Sequence, residues 1–142
     1  MIEEFVLDGS VTMAWCFEDE ARPETDEMLD WLAAKSRAYV PSVWHLEIAN
    51  VLRACERRKR ITQADSTRFL AVLKTLNITT DRLAEEYAAT TILALARQHD
   101  LSAYDAAYLE LAMRLGLPLA STDAALRKAA QAVGLAYLPE AI

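Results

Sequence analysis

Apolar residues along this chain alternate between compact runs and helical stripes, which predicts strands separated by helices. Ile2–Leu7, with Phe5-Val6-Leu7 at its end, reads as a short buried strand. Ser10–Phe17 supplies one or two helical turns and ends at Glu18-Asp19-Glu20. Beyond Pro23, Glu24–Lys35 carries Met28, Leu29, Leu32 and Ala33 at helical spacing, with Trp31 beside the stripe. Ala38–Val40 is a second strand, stopped by Pro41. Ser42 is placed to cap a long helix reaching Arg60, with Trp44, Ile48, Val51, Leu52 and Cys55 on its apolar side. Thr62-Gln63-Ala64-Asp65 has the form of a capping box and opens a helix over Gln63–Leu76. Asn77–Thr79 is a brief strand, and Arg82–His99 a helix striped by Leu83, Tyr87, Thr90, Thr91 and Leu95. Ser102-Ala103-Tyr104-Asp105 starts a helix that runs to Leu115 and stops at Gly116, where a left-handed residue is favoured. Leu117–Ala120, Ala124–Val133 and Leu135–Leu138 complete the pattern as strand, helix and strand.

Strands alternating with helices imply parallel pairing through right-handed crossovers, with helices on both faces. The expected fold is therefore α/β: a three-layer α/β/α arrangement with a short, mostly parallel sheet and more helix than strand. With 142 residues and no repeat, low-complexity tract or linker, residues 1–142 are expected to form a single domain. A composition of 54% apolar and 25% charged residues, with three Gly and four Pro, belongs to a folded chain.

Cys16 and Cys55 lie in helical contexts without a CxxC spacing, which argues against a disulfide or a zinc site and for a reducing cytoplasm. No apolar stretch approaches the roughly 18 residues of a membrane span, so no membrane association is expected. The acidic start Met1-Ile2-Glu3-Glu4 enters a strand directly, unlike a signal peptide. A net charge of −6 weakens the case for a general nucleic-acid-binding surface, although a carboxylate site neutralised by metal would account for part of it.

The candidate chemistry lies in four acids. Asp8 ends the first strand, and Asp123 follows the strand Leu117–Ala120. Glu47 and Asp105 lie in the opening turns of apolar-striped helices. In an open parallel sheet, groups beyond the carboxyl ends of the strands converge on one edge. Carboxylates gathered there repel one another, which makes sense as a cage for a divalent metal. Each acid also has a plainer role: Asp8-Gly9 as a turn, Asp123 as a helix cap, Asp105 at the third position after Ser102, and Glu47 as a solvated residue. Those roles do not explain why two strand-end and two helix-start acids share an edge. Ser10 and Ser121 stand two residues from Asp8 and Asp123, able either to cap helices or to contact metal waters and phosphate oxygens.

His45 and His99 lack a zinc spacing, and neither a GxSxG elbow nor a Gly-rich phosphate loop occurs. Arg53 and the run Arg57-Arg58-Lys59-Arg60 form the one dense basic patch. It is either a solvated helix end favoured by the helix dipole or a contact to a nucleic-acid backbone.

In this order the motifs resemble the PIN-domain family, and most closely the toxin subunits of VapBC toxin–antitoxin pairs. The resemblance rests on Val6-Leu7-Asp8-Gly9-Ser10-Val11-Thr12-Met13-Ala14-Trp15 and Trp44–Leu52, then on Leu101–Ala112 and Leu119–Leu126. Each motif is short; four in order, at the right strand and helix ends, are specific. The resemblance places the family's acidic quartet on Asp8, Glu47, Asp105 and Asp123, and its accompanying hydroxyls on Ser10 and Ser121. Gly9 stands where Ala, Thr or Ser is commoner, which is expected to loosen the turn carrying Asp8, and Ser121 where Thr is commoner.

The resemblance implies a Mg²⁺- or Mn²⁺-dependent endoribonuclease, and hard cations do prefer such carboxylates. One ion held by Asp8, Asp105 and Asp123 would lower the pKa of a bound water for in-line attack on a phosphodiester. Glu47 either ligates a second ion or orients that water. The resemblance also implies a homodimer and a small VapB-type antitoxin partner. The alternative function is a non-catalytic PIN-like interaction module. A haloacid-dehalogenase-like phosphatase would need a second acid at position 10, where Ser10 stands, and a signal-receiver domain would need an acidic pair at the first strand end.

Overall fold

The computed structural model describes residues 1–140. Five strands form one parallel sheet: β1 (Glu4–Leu7), β2 (Arg37–Pro41), β3 (Ile78–Asp81), β4 (Leu119–Ala120) and β5 (Tyr137–Leu138). Their order is β3-β2-β1-β4-β5. The chain builds outward from β1 to β3 on one side, then returns to lay down β4 and β5 on the other. The order thus reverses between β1 and β4, and the crevice beyond their carboxyl ends is where such sheets take ligands. Val6 pairs with Leu119 and Leu7 with Ala120. The next residues, Asp8 and Ser121, therefore emerge side by side.

The helices are α1 (Gly9–Ala14), α2 (Pro23–Ala34), α3 (Val43–Arg57), α4 (Gln63–Thr75), α5 (Ala84–Tyr87), α6 (Leu93–His99), α7 (Ala103–Leu115) and α8 (Ala124–Ala132). Together with the sheet they make the expected three-layer α/β/α fold. Phe5, Val6 and Leu7 of β1 are completely buried, as a central parallel strand covered on both faces requires. Helix α7 packs against β1, β2 and β4, and Ala106 to Ala112 are all buried. The capping box of Thr62 and Asp65 forms as read from the sequence, with reciprocal bonds of 3.1 and 2.9 Å.

Four expectations are corrected. The helix over Arg82–His99 is interrupted: a π-helical segment at Ala88–Ile92 separates α5 from α6. The wider turn shifts the register, so Ile92, Leu95 and Ala96 are buried whereas Thr90 and Thr91 face solvent. The helix expected to reach Arg60 ends at Arg57, because Lys59 takes a left-handed backbone with φ of 58°. Ser42 makes no capping bond to α3; its hydroxyl donates to the Asp81 carbonyl at 3.4 Å. The i,i+4 spacing of Glu110 and Arg114 suits a solvated surface pair, and the structure does not make them one. Glu110 is only 4% exposed, and Arg114 bridges it to Asp81 with bonds of 2.8 Å to each carboxylate.

Candidate active site

Asp8 is the first residue beyond β1 and is 5% exposed. Its backbone N–H donates to the Ala120 carbonyl at 2.9 Å, which extends the β1–β4 ladder by one bond. Two hydroxyls hold its carboxylate: Ser10 Oγ and Ser121 Oγ each donate to Oδ2 at 2.7 Å. The Asp123 amide donates to Ser121 Oγ at 3.0 Å, and the Thr122 amide to Ser10 Oγ at 2.9 Å. Both hydroxyls are thus oriented by the backbone after β4, with their hydrogens aimed at Asp8. From below, the Trp44 indole donates to Thr12 Oγ1 at 3.0 Å, and Thr12 donates to the Asp8 carbonyl at 3.2 Å. Arg127 fixes the opposite strand end by donating to the Ser121 carbonyl at 2.9 Å.

The other three acids stand nearer the rim. Glu47 on α3 and Asp105 on α7 are half-buried, and Asp123 is exposed. Glu47 Oε1 accepts a 2.7 Å bond from the Tyr108 hydroxyl. The plainer roles of two acids are realised as well. Asp123 Oδ1 accepts from the Leu126 amide at 2.9 Å and caps α8, while Ser102 caps α7 by accepting from the Asp105 amide at 3.1 Å. These bonds fix backbone direction and leave the Asp105 carboxylate out of the cap.

Electrostatics ties the quartet together. Burial pushes the Asp8 carboxyl above its ordinary value; the two serine bonds oppose that, and the Asp123 charge adds to it. Burial also raises Glu47, with the Asp8 and Asp105 charges adding to it. Asp105 is raised by burial and by the charges of Asp8 and Asp123. Ion pairs among the described residues join Arg53–Glu56, Arg60–Asp19, Arg68–Asp65 and Arg114 with Asp81 and Glu110; none includes a member of the quartet. A cluster of hard oxygen donors whose negative charge has no cationic partner is the donor set that a divalent ion requires. Among the described residues, no three His, Cys, Asp or Glu side chains stand at ligating separation as they are, so an ion would have to draw rim carboxylates inward.

A cleft of about 660 Å³ runs from this cluster along α1 and α3. Ser10, Glu47 and Thr122 line one end; Arg22, Arg58 and Arg60 line it further along, with Asp19 and Glu20. The basic run is therefore divided. Arg58 and Arg60 border the cleft, whereas Arg53, Arg57 and Lys59 do not. Arg60 is held by stacking on Phe17, 3.8 Å from the ring centroid, and by a 2.7 Å bond to Asp19.

Three contributors to this architecture escape sequence reading. Tyr108 and Trp44 read as core stripe, and Thr12 as a helix residue. The available signal is spacing alone: Tyr108 lies one helical turn beyond Asp105, and Thr12 one turn beyond Asp8. Gly9 is buried at the start of α1, and a Cβ there would meet Ile48 and the Tyr108 hydroxyl at an ordinary 3.9 Å. Its φ lies outside the left-handed region that Gly116 and Gly134 occupy, so the backbone there does not require a glycine.

The chain is 31% identical over 128 residues to ribonuclease VapC9 of Mycobacterium tuberculosis, covering 89% of this chain and 91% of that protein. Its fold is similar to that of PAE2754 from Pyrobaculum aerophilum, with a TM-score of 0.69 and 23% identity over 96% of this chain and 92% of that one. It is also similar to a chain of VapBC2 from Rickettsia felis bound to a promoter DNA fragment, with a TM-score of 0.65 and 14% identity over 94% of this chain and 96% of that one. The family model described as PIN domain matches residues 5–132, from Phe5 within β1 through all four acids to the end of α8, and the chain belongs to the PIN domain family.

Proposed function

We propose that this protein is a divalent-metal-dependent endoribonuclease and the toxin member of a toxin–antitoxin pair. The observation that carries this function is the buried Asp8 carboxylate, held by Ser10 and Ser121 at the reversal point of the sheet, beneath three further acids. The similarity to a protein named ribonuclease VapC9 supports the reaction class.

Asp8, Asp105 and Asp123 would hold Mg²⁺ or Mn²⁺, with Glu47 either as a further ligand or beside the attacking water. When bound, the ion offsets charge developing on the phosphodiester and lowers the pKa of water. Ser10 and Ser121 favour the ionised form of Asp8, against its burial, and point it in one direction by donating to Oδ2. Oε1 of Glu47 is engaged by Tyr108, which leaves Oε2 free for either of those roles. Arg58 and Arg60 supply cationic groups along the cleft for backbone phosphates, the positioning role expected of such contacts. Arg53, Arg57 and Lys59 take no part in this assignment.

The VapBC2 neighbour supports an antitoxin partner for this chain, and a homodimer is part of the same proposal. Co-expression with a candidate VapB-type antitoxin, followed by light scattering, tests both. The primary test is incubation of a mixed RNA panel with the purified chain in Mn²⁺, Mg²⁺ or EDTA, beside Asp8→Asn. Discrete metal-dependent cuts that vanish in the variant are the expected result. A folded protein that neither cuts nor is stabilised by Mn²⁺ would instead be an interaction module.

A further inference from the structure

Tyr108 is completely buried, yet its hydroxyl ends at the site rather than in the core. It donates to Glu47 Oε1 at 2.7 Å and joins two separate helices, α7 and α3. A buried phenol needs a hydrogen-bond partner, and Glu47 is the one it has among the described residues. The same rigid helix carries Asp105 three residues earlier, so α7 sets both Asp105 and the anchor point of Glu47.

The consequence for Glu47 is geometric. A half-buried glutamate on a helix has several rotamers available. The phenol removes that freedom by fixing one oxygen and leaving the other free.

We propose that Tyr108 is a positioning residue for the metal centre, acting through Glu47 by fixing one carboxylate oxygen and leaving the other free for the ion. This inference rests on the metal-dependent function proposed above. Groups that orient a metal ligand commonly change affinity or activity about 10–100-fold when removed.

Mn²⁺ titration of the full chain, followed by calorimetry or by the spin-resonance signal of free Mn²⁺, tests it on wild type, Tyr108→Phe, Glu47→Ala and the double variant. Tyr108→Phe should retain the fold and bind Mn²⁺ roughly tenfold more weakly. The same substitution in the Glu47→Ala background should cause no further loss, because its target is gone. RNA cleavage by Tyr108→Phe should fall at low Mn²⁺ and recover at saturating Mn²⁺. If Tyr108→Phe does not fold, Glu47→Asp takes its place, since the shortened side chain no longer reaches an intact phenol and should weaken Mn²⁺ to a similar extent. Wild-type Mn²⁺ affinity in Tyr108→Phe, or in Glu47→Asp where that replaces it, overturns the inference while leaving the metal-dependent function standing. An equal loss with or without Glu47 overturns it as well. Absence of Mn²⁺ binding in wild type overturns both.

Discussion

Ser121 Oγ donates to Asp8 Oδ2 at 2.7 Å across 113 residues of sequence. The contact follows from the parallel pairing of Leu7 with Ala120, which brings the residues after β1 and β4 together. Ser121 has no solvent exposure, and its oxygen also accepts from the Asp123 amide. Ser121→Ala removes both bonds at once. It should destabilise the fold by about 2 kcal/mol in urea denaturation, because a buried carboxylate and a partly buried amide each lose a partner. Ser121→Thr keeps the hydroxyl and should retain most of that stability.

Asp8→Asn should separate stability from function. Burial disfavours the ionised Asp8, so a neutral amide in its place costs the fold little and leaves the melting temperature without metal unchanged or higher. Mn²⁺ at 100 times its wild-type Kd would add about 2.7 kcal/mol to the wild type through preferential binding to the native state. Thermal denaturation with and without Mn²⁺ should show that increment in wild type and lose it in the variant. Cleavage should fall at least about 100-fold, the scale of losing a group that stabilises transition-state charge.

Arg58 should contribute to RNA affinity and Lys59 should not. Arg58 lines the cleft, whereas the left-handed turn at Lys59 places that residue outside it. Arg58→Ala should raise KM for RNA with kcat little changed, and reduce the salt slope of binding by about 0.7 for one lost contact to a single strand. Lys59→Ala should leave both unchanged. Fluorescence-anisotropy titrations at several salt concentrations, with a non-cleaving Asp8→Asn background, make the comparison.

The Asp81–Arg114–Glu110 cluster should govern acid stability. The Arg114 hydrogen bonds hold the Asp81 carboxyl below its ordinary value of 3.8. A depressed carboxylate contributes stability that is fully present above its unfolded pKa and is lost as pH falls through the folded one. The wild type should therefore keep this contribution at pH 5 and lose it progressively below about pH 4, the unfolded carboxylate value. Asp81→Asn should cost about 2 kcal/mol at pH 7, below the usual penalty for breaking a buried pair because Glu110 still faces Arg114. That cost should shrink as pH falls below about 4, which urea denaturation at pH values on either side would measure.

Local chemistry determined much of this protein before any tertiary contact formed. The order of strands and helices follows from periods of hydrophobicity, and the caps at Thr62, Ser102 and Asp123 follow from side chains that satisfy free amides a few residues on. Parallel pairing of alternating elements is enough to bring Asp8 and Asp123 to one edge. Helical register on α3 and α7 brings Glu47 and Asp105 toward it.

Only the tertiary structure decided the rest, because periodicity records which face of an element is apolar and not which surfaces meet. The Glu110–Arg114 spacing suits a solvated helix, and it is the approach of β3 that adds Asp81 and buries the pair. Thr90 and Thr91 fit an uninterrupted helical stripe, and one π-helical segment turns them outward. The five basic residues look equivalent in sequence until the backbone at Lys59 divides them. Tyr108 is apolar enough to read as core, and it is core; its hydroxyl acquires a role because α3 presents Glu47 at hydrogen-bonding distance, 61 residues away along the chain.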